Sequence, residues 1–281
     1  MSSSDLVFPQ FSVLMSLYHA EKSSNLEACL ESLRIQTALA NQVVIVFDGP
    51  ISISLERVVD KWRESLNIET LKLPKNIGLG GALNRGLQLC EHNFVARMDT
   101  DDVCEPNRFE RQLFEFMSDS TLSLCGANTF EFSGTPENVI SMRNVPASQD
   151  QIIQKCIFIN PFNHVTIMFK KEDVLQAGGY KPLPWMEDWY LWLRMLALGY
   201  KGLNIEDYLV RVRTGYEMIA RRAGWSYVKS EWLITKVKVG LGFTNWPMAI
   251  VIFIIRSAPR LLPQKLLMPL YLYTRKKVSV N

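Results

Sequence analysis

Three carboxylates stand within four residues at Asp99-Thr100-Asp101-Asp102, directly after the apolar run Asn93-Phe94-Val95-Ala96-Arg97-Met98. Carboxylates this close repel one another unless solvent or a cation neutralises them. A hard divalent ion, Mn²⁺ or Mg²⁺, prefers such oxygen ligands and is commonly held by one or two carboxylates together with substrate phosphates. A solvated Asp-rich turn explains the tetrapeptide equally well, so its surroundings decide. Upstream, Asn76-Ile77-Gly78-Leu79-Gly80-Gly81-Ala82-Leu83-Asn84-Arg85-Gly86 is a glycine-rich entry to a helix. Its free N–H groups suit a phosphate, although its spacing is not the dinucleotide fingerprint. Downstream, Trp185-Met186-Glu187-Asp188-Trp189 sets two acids among aromatics. An apolar setting raises a carboxylate's pKa, as a general base requires, and a helix N-terminus favours the same acids for its own dipole.

The elements that must position these residues alternate in type. Phe11–Leu17, Gln42–Phe47, Ile68–Leu73 and Asn93–Met98 read as strands, and helix-spaced segments at 25–33, 55–65 and 79–90 separate them. That order implies an α/β fold with a mostly parallel central sheet and flanking helices, binding ligand beyond the carboxyl ends of the strands. Asp48 and Asp99 both fall at such ends. Farther on, 108–117 and 190–198 read as helices, and 122–132 and 164–170 as strands.

Bulk properties narrow the possibilities. The 281 residues are 48% hydrophobic and 21% charged, enough for a sizeable core. A net charge of +3 argues against a dedicated nucleic-acid binder, and no nucleic-acid partner is expected. The five cysteines are scattered without a Cys-x-x-Cys pair, which fits buried thiols rather than a disulfide framework. Met1–Gln10 lacks a secretory pattern, so the chain is expected on the side of the membrane where it is made.

Five motifs in order carry a resemblance: Ser12–Tyr18 with Glu21; Val46-Phe47-Asp48-Gly49; Asn76-Ile77-Gly78-Leu79-Gly80; Arg97-Met98-Asp99-Thr100-Asp101-Asp102; and Glu187-Asp188-Trp189. Over residues 11–215 the chain resembles glycosyltransferase family 2, in its bacterial surface-polysaccharide branch of amylovoran and O-antigen enzymes. The resemblance implies a GT-A fold and a metal-dependent, inverting hexosyltransferase. It implies that Tyr18 and Glu21 contact base and ribose, that Asp48 accepts from the uracil imide, and that Arg97 and Asn76 line the same pocket. Asp99 would lie near the ribose or sugar, and Asp101 would hold the Mn²⁺ or Mg²⁺ beside the donor diphosphate. Asp188 would take the acceptor proton, with Glu187 beside it on the acceptor. Asp102, His164 and Trp189 are weaker acceptor-lining or supporting candidates. Arg211, Arg213, Arg221 and Arg222 lie where relatives hold a basic segment near the diphosphate. The Gln-x-x-Arg-Trp motif of processive synthases is absent, which implies one sugar per encounter. The resemblance implies UDP-glucose or UDP-galactose as donor, a saccharide on polyprenyl (undecaprenyl) diphosphate as acceptor, and a β1→3 bond.

The implied organisation is a catalytic domain over 1–215, with a nucleotide-sugar half at 8–103 and an acceptor half at 104–215, then a basic amphipathic helical region over 216–281. In that region Trp246–Ile255 is an apolar run of ten residues, too short to span a bilayer and followed by Arg256, Arg260, Lys265, Arg275, Lys276 and Lys277. Apolar burial plus attraction to anionic lipid would place it at the cytoplasmic face of the bacterial inner membrane, as a peripheral attachment. A helix packed back on the domain is the alternative. Two other functions use parts of this pattern. A nucleotidyltransferase also clusters acids around metal but needs a basic triphosphate loop, which 17–21 does not offer. A membrane-bound saccharide-binding module without catalysis would have no use for Asp99, Asp101 and Asp188 together.

Overall fold

The computed structural model describes residues 7–215, 224–262 and 276–277. In chain order the main elements are β1 (Phe11–Leu17), α1 (Ser23–Arg34), β2 (Gln42–Phe47), α2 (Ile53–Trp62), β3 (Ile68–Lys72), α3 (Leu79–Leu89) and β4 (Phe94–Asp99). There follow β5 (Val103–Cys104), α4 (Arg108–Ser118), β6 (Leu122–Phe132), β7 (Val139–Arg143), α5 (Gln149–Lys155), β8 (Met168–Lys170), α6 (Lys171–Gln176) and α7 (Glu187–Ala197). The chain continues through β9 (Lys201–Arg213), α8 (Trp225–Gly240), α9 (Trp246–Ser257) and β10 (Lys276–Lys277).

Val43, Val44, Ile45 and Val46 are wholly buried, which a strand covered by helices on both faces demands. β1 pairs in parallel with β2 on one edge and β4 on the other, and β2 pairs in parallel with β3. The order β3-β2-β1-β4 therefore reverses direction at β1, and a ligand crevice opens outside the carboxyl ends of β1 and β4. Ser16 stands opposite Asp99 at that crevice. Side chains alternate across the sheet: Phe11, Val13, Met15 and Leu17 join α1, α2 and α4 in one core, and Leu14 joins α3 and α7 in the other. α3 crosses the sheet closely at Gly86, where a Cβ would lie 2.5 Å from Leu14 and Val46 side-chain carbons.

Beyond β4 the sheet is mixed. β8 runs antiparallel to both β4 and β6, while β9 lies parallel along β6 and antiparallel to β5. The strand expected over 164–170 is shorter: His164–Thr166 is a 3-10 turn and only Met168–Lys170 pairs. The Thr166 hydroxyl engages the Asn163 carbonyl (2.9 Å) and the Ala127 N–H (2.9 Å), a local alternative to the ladder. The helix expected from 190 begins at Glu187, whose charge and that of Asp188 complement its N-terminal dipole.

The C-terminal segment divides. α8 packs on the domain, with Tyr227 and Ile234 in the core of α3 and α7. α9 buries Ala249 and Ile252 but leaves Ile250, Val251, Ile254 and Ile255 exposed by 43–66%. Among the described residues no helix is long and apolar enough to cross a membrane.

Candidate active site

Two loops clasp at the carboxyl end of β2. The Asp48 carboxylate, 3% exposed, accepts from the Ile77 N–H (2.7 Å) and the Gly78 N–H (3.1 Å). Asn76 answers by donating its side-chain amide to the Asp48 carbonyl (3.2 Å) and accepting from Gly78 N–H (3.1 Å). Gly49 permits the approach: its φ is +91°, and a Cβ there would sit 2.8 Å from the Asn76 nitrogen. Asp48 and Asn76 thus shape the glycine-rich loop that leads into α3. Tyr18 lies at the same edge, 38% exposed, with its ring edge-on to His19 at 5.6 Å.

Glu21 has a role that its sequence position does not announce. One oxygen accepts from the Lys22 N–H (2.7 Å) and Asn25 amide (3.0 Å) at the start of α1. The other accepts from the Thr100 hydroxyl at 2.8 Å, tying the end of β1 to the acidic turn after β4.

Within that turn the three acids differ. Asp99 forms a two-pronged ion pair with Arg97, which is 2% exposed beneath it; the Nη1–Oδ2 separation is 2.8 Å. Burial lowers the Arg97 pKa, and Asp99 outweighs it, so the guanidinium stays charged above its usual value. Asp102 is buried and accepts the Arg213 N–H at 2.7 Å. Asp101 is half-buried, and Arg213 meets only its carbonyl (3.2 Å). Burial first, then repulsion from neighbouring acids, pushes the Asp101 and Asp102 carboxyls up. One ligand atom from each of Asp99, Asp101 and Asp102 lies within 4.8 Å of the others. Hard oxygen donors carrying more negative charge than their surroundings answer fit a divalent cation. Asp101 is the best placed of the three, because Asp99 is engaged by Arg97 and Asp102 is enclosed.

The second pair of acids stands at the N-terminus of α7. Asp188 is half-buried and accepts the Asn160 side-chain amide at 2.6 Å. Burial raises its pKa, while the Trp189 backbone, Asn160 and more distant Arg97 and Arg143 pull it down. Glu187 is pushed up to about 7 by burial and by Asp188. Asp99 and Arg97 also act on Glu187, so the start of α7 lies within electrostatic reach of the end of β4. Gly80 closes the distance between donor loop and α7: a Cβ there would meet Glu187 Cβ at 3.4 Å and Tyr180 Cβ at 3.3 Å. Asn84 of α3 exchanges two hydrogen bonds with the Tyr180 backbone, at 2.6 and 2.8 Å.

His164 binds the Tyr180 hydroxyl through Nε2 (2.9 Å) and lies against Trp192. Burial, then Arg97, holds it neutral, well below its ordinary pKa, which makes it a support for Tyr180. Trp189 is 2% exposed and donates to the Cys156 carbonyl at 3.1 Å, so its ring does not face the cleft. Lys238 of α8 and Arg256 of α9 cover that ring at 3.9 and 4.8 Å. Neither cation pair had any signal in the sequence. Arg211 pairs with Glu105 and Arg213 donates to the Gly134 carbonyl (2.7 Å), so both hold loops; Arg221 and Arg222 lie outside the described residues. All five cysteines are free and buried.

A parallel half-sheet with a switch point at β1, a glycine-rich loop into α3, and acids at the end of β4 and the start of α7 make up a GT-A fold. The family profile described as glycosyl transferase family 2 matches residues 12–177, and the chain belongs to that family. It is 44% identical over 266 residues to the amylovoran biosynthesis glycosyltransferase AmsE of Erwinia amylovora, covering 95% of this chain and 99% of that one. It is 38% identical over 223 residues to an Escherichia coli UDP-Gal:α-D-GlcNAc-diphosphoundecaprenol β-1,3-galactosyltransferase, covering 79% and 81%. Among solved structures, Staphylococcus aureus TarS 1–349 in complex with UDP-GlcNAc superposes with a TM-score of 0.65 at 17% identity, covering 88% and 71%. The mannosyltransferase PcManGT of Pyrobaculum calidifontis, in complex with GDP-Man and Mn²⁺, gives 0.64 at 16%, covering 94% and 80%. These two likenesses concern the fold.

Proposed function

We propose that this glycosyltransferase moves one hexose per encounter, with inversion, from a UDP-sugar to a saccharide on polyprenyl diphosphate during O-antigen or exopolysaccharide synthesis. Galactose or glucose is the sugar and a β1→3 bond the product. The observation that carries the reading is that Glu187, beside Asp188 at the start of α7, lies within electrostatic reach of Asp99 and Arg97 and against the glycine-rich loop at Gly80. Two relatives support the context, one named for amylovoran synthesis and one for galactosyl transfer to a GlcNAc-diphospholipid.

Asp101, with Asp99 beside it, would hold Mn²⁺ or Mg²⁺, which when bound supplies positive charge to the departing diphosphate. Asp188 does the proton chemistry. As the acceptor hydroxyl oxygen bonds to the anomeric carbon, its proton passes to the Asp188 carboxylate and the bond to the diphosphate breaks with its electron pair. Asn160 fixes that carboxylate's rotamer, and Glu187 contacts the acceptor. Tyr18 and Glu21 border the nucleoside, and Asp48, Asn76 and Arg97 set the donor loop and floor; an imide hydrogen bond to Asp48 would use its remaining lone pairs.

Membrane contact belongs to this reading. α9 presents Trp246, Met248, Ile250, Val251, Ile254 and Ile255 to solvent, beside Leu261 and Leu262. An apolar face of this kind beside basic residues fits the surface of an anionic bilayer, which also carries the acceptor. Ile254→Glu with Ile255→Glu would release the protein from anionic vesicles in sedimentation. Undiminished co-sedimentation would remove α9 as the contact.

The direct test supplies UDP-galactose or UDP-glucose, Mn²⁺ and a GlcNAc- or GalNAc-diphospholipid analogue. Transfer that EDTA abolishes is expected. Transfer untouched by EDTA would overturn the metal assignment. Pyrophosphate release from a nucleoside triphosphate would favour a nucleotidyltransferase, and saccharide binding without any turnover an inactive module.

A further inference from the structure

Three indoles fall within eight residues around the catalytic end of α7, and the fold treats them differently. Trp189 and Trp192 are core residues, 2% and 0% exposed, whereas Trp185 is 48% exposed. Trp185 also has a φ of +69°, one of only two non-glycine residues with positive φ among the described residues. The local turn explains the angle. The Met186 N–H donates to the Leu183 carbonyl at 3.0 Å, closing a four-residue turn with Pro184 second and Trp185 third. Pro at the second position and a positive φ at the third mark a type II turn, whose third position belongs to Gly or Asn. Leu183 and Met186 are 4% and 2% exposed, so both ends of the turn are pinned in the core. The large residue in the middle is forced outward.

A bulky side chain at this backbone angle is unfavourable, and glycine would adopt it freely. Strain of this sort is held in place by its surroundings and clusters at active sites and ligand clamps. Only Met186 separates Trp185 from Glu187, the first residue of α7, and Asp188 follows. We propose that the Trp185 indole is the platform for the acceptor saccharide, its face lying flush against the C–H face of the pyranose whose hydroxyl is presented to Asp188. This rests on the reading of Asp188 as the acceptor-side base. A pyranose has an apolar face of axial C–H groups and a polar rim, and an aromatic ring meets the first while leaving the second to hydrogen bonds. Trp189 cannot do this, because Lys238 and Arg256 cover its ring.

The test compares Trp185→Gly, Trp185→Ala and Trp185→Phe in the full chain, by calorimetric titration with a short-chain GlcNAc-diphospholipid analogue and with the same lipid diphosphate lacking sugar. Trp185→Gly relieves the turn, so its melting temperature should equal or exceed that of the parent, whereas a merely structural indole would lower it when removed. Its Kd for the saccharide analogue should rise roughly tenfold, the order seen when an aromatic anchor is truncated. Binding of the sugarless lipid diphosphate and of UDP should not move, and Trp185→Phe should retain most of the saccharide affinity. Unchanged saccharide binding in both Gly and Ala variants would overturn the platform. So would an equal loss towards the sugarless lipid, which would make Trp185 a membrane contact. If the parent bound the saccharide through Trp185 but transferred no sugar, the proposed function would fall and the platform would stand.

Discussion

On the donor side of the cleft, Asp99 meets the buried guanidinium of Arg97, and Asp101 and Asp102 crowd behind it. At the start of α7, Asp188 accepts from the neutral amide of Asn160 and is drawn down by the Trp189 backbone and, from farther off, by Arg97 and Arg143. Burial pushes carboxyls upward in both places. The response differs. Asp99, Asp101 and Asp102 share a fixed cation and surplus negative charge, an arrangement that in the proposed reading would take a second cation. Asp188 has a helix dipole, one amide and two more distant guanidinium groups around it, and in the proposed reading the species it takes is a proton. In the proposed reading the same residue type would serve two chemistries because its partners differ.

The comparison can be broken first at Asp188. Asp188→Asn keeps the shape and the Asn160 neighbour but not the base, and should lower transfer roughly 10³–10⁴-fold while UDP binding by calorimetry stays the same. Weakened UDP binding would show that the two sides are not separable. Asp101→Asn should reduce transfer less, roughly 10²–10³-fold, and raise the Mn²⁺ concentration needed for half-maximal rate. An unchanged Mn²⁺ requirement would move the ligand role to Asp99.

A third measurement follows stability against pH. Glu187 holds its proton to about 7 in the folded protein but to its ordinary value of about 4.5 when unfolded. The folded state therefore binds more protons across that window, and stability falls as pH rises from about 4.5 to about 7. Lys238 acts in the opposite sense: burial, then Arg256, lowers it from 10.5 to about 7, so stability rises with pH between those values. Asp101, raised to about 7 as well, and Asp102 and Asp188 feed the same falling limb. In melting temperatures, Glu187→Gln should therefore make that limb shallower without removing it, and Lys238→Met should flatten the rising one. A Glu187→Gln fall as steep as the parent's would place that proton elsewhere. The smallest effect is expected at the hinge between the sites: Thr100→Val removes the bond to Glu21 and should cost about 1–2 kcal/mol in denaturant unfolding, with little change at Asp188.

Legibility in the sequence followed the same division. β1, β2 and β4 are short apolar runs and β3 an alternating one, each ending at a turn, and their parallel order could be read from the helices that separate them. β9 was not legible. Its thirteen residues include Glu206, Asp207, Arg211 and Arg213, and its pairing with β6 slips register near Asn128, so no clean alternation survives. The positions of Asp99, Asp101 and Asp188 followed from motif order, but their partners did not. Glu21 as the acceptor from Thr100, Asp48 as the clasp on Ile77 and Gly78, and Asn160 beneath Asp188 are contacts across 28 to 79 residues of chain. Nor does spacing separate Trp185 from Trp189. One lies in a turn and the other on the buried side of a helix, and only the fold tells them apart.

The covering of Trp189 by Lys238 and Arg256 bears on how freely this family can exchange its C-terminal segments. Glu231, 1% exposed, pairs with Arg256 and thereby joins α8 to α9; Lys238 donates to the Ile157 carbonyl at 2.8 Å. The residue after Asp188 is thus roofed by the tail. A tail grafted from a relative would have to bring equivalents of Glu231, Lys238 and Arg256, or the helix that carries Asp188 would lose its lid. Exchange of α8 or of α9 up to Arg256 would therefore disturb the packing over Trp189.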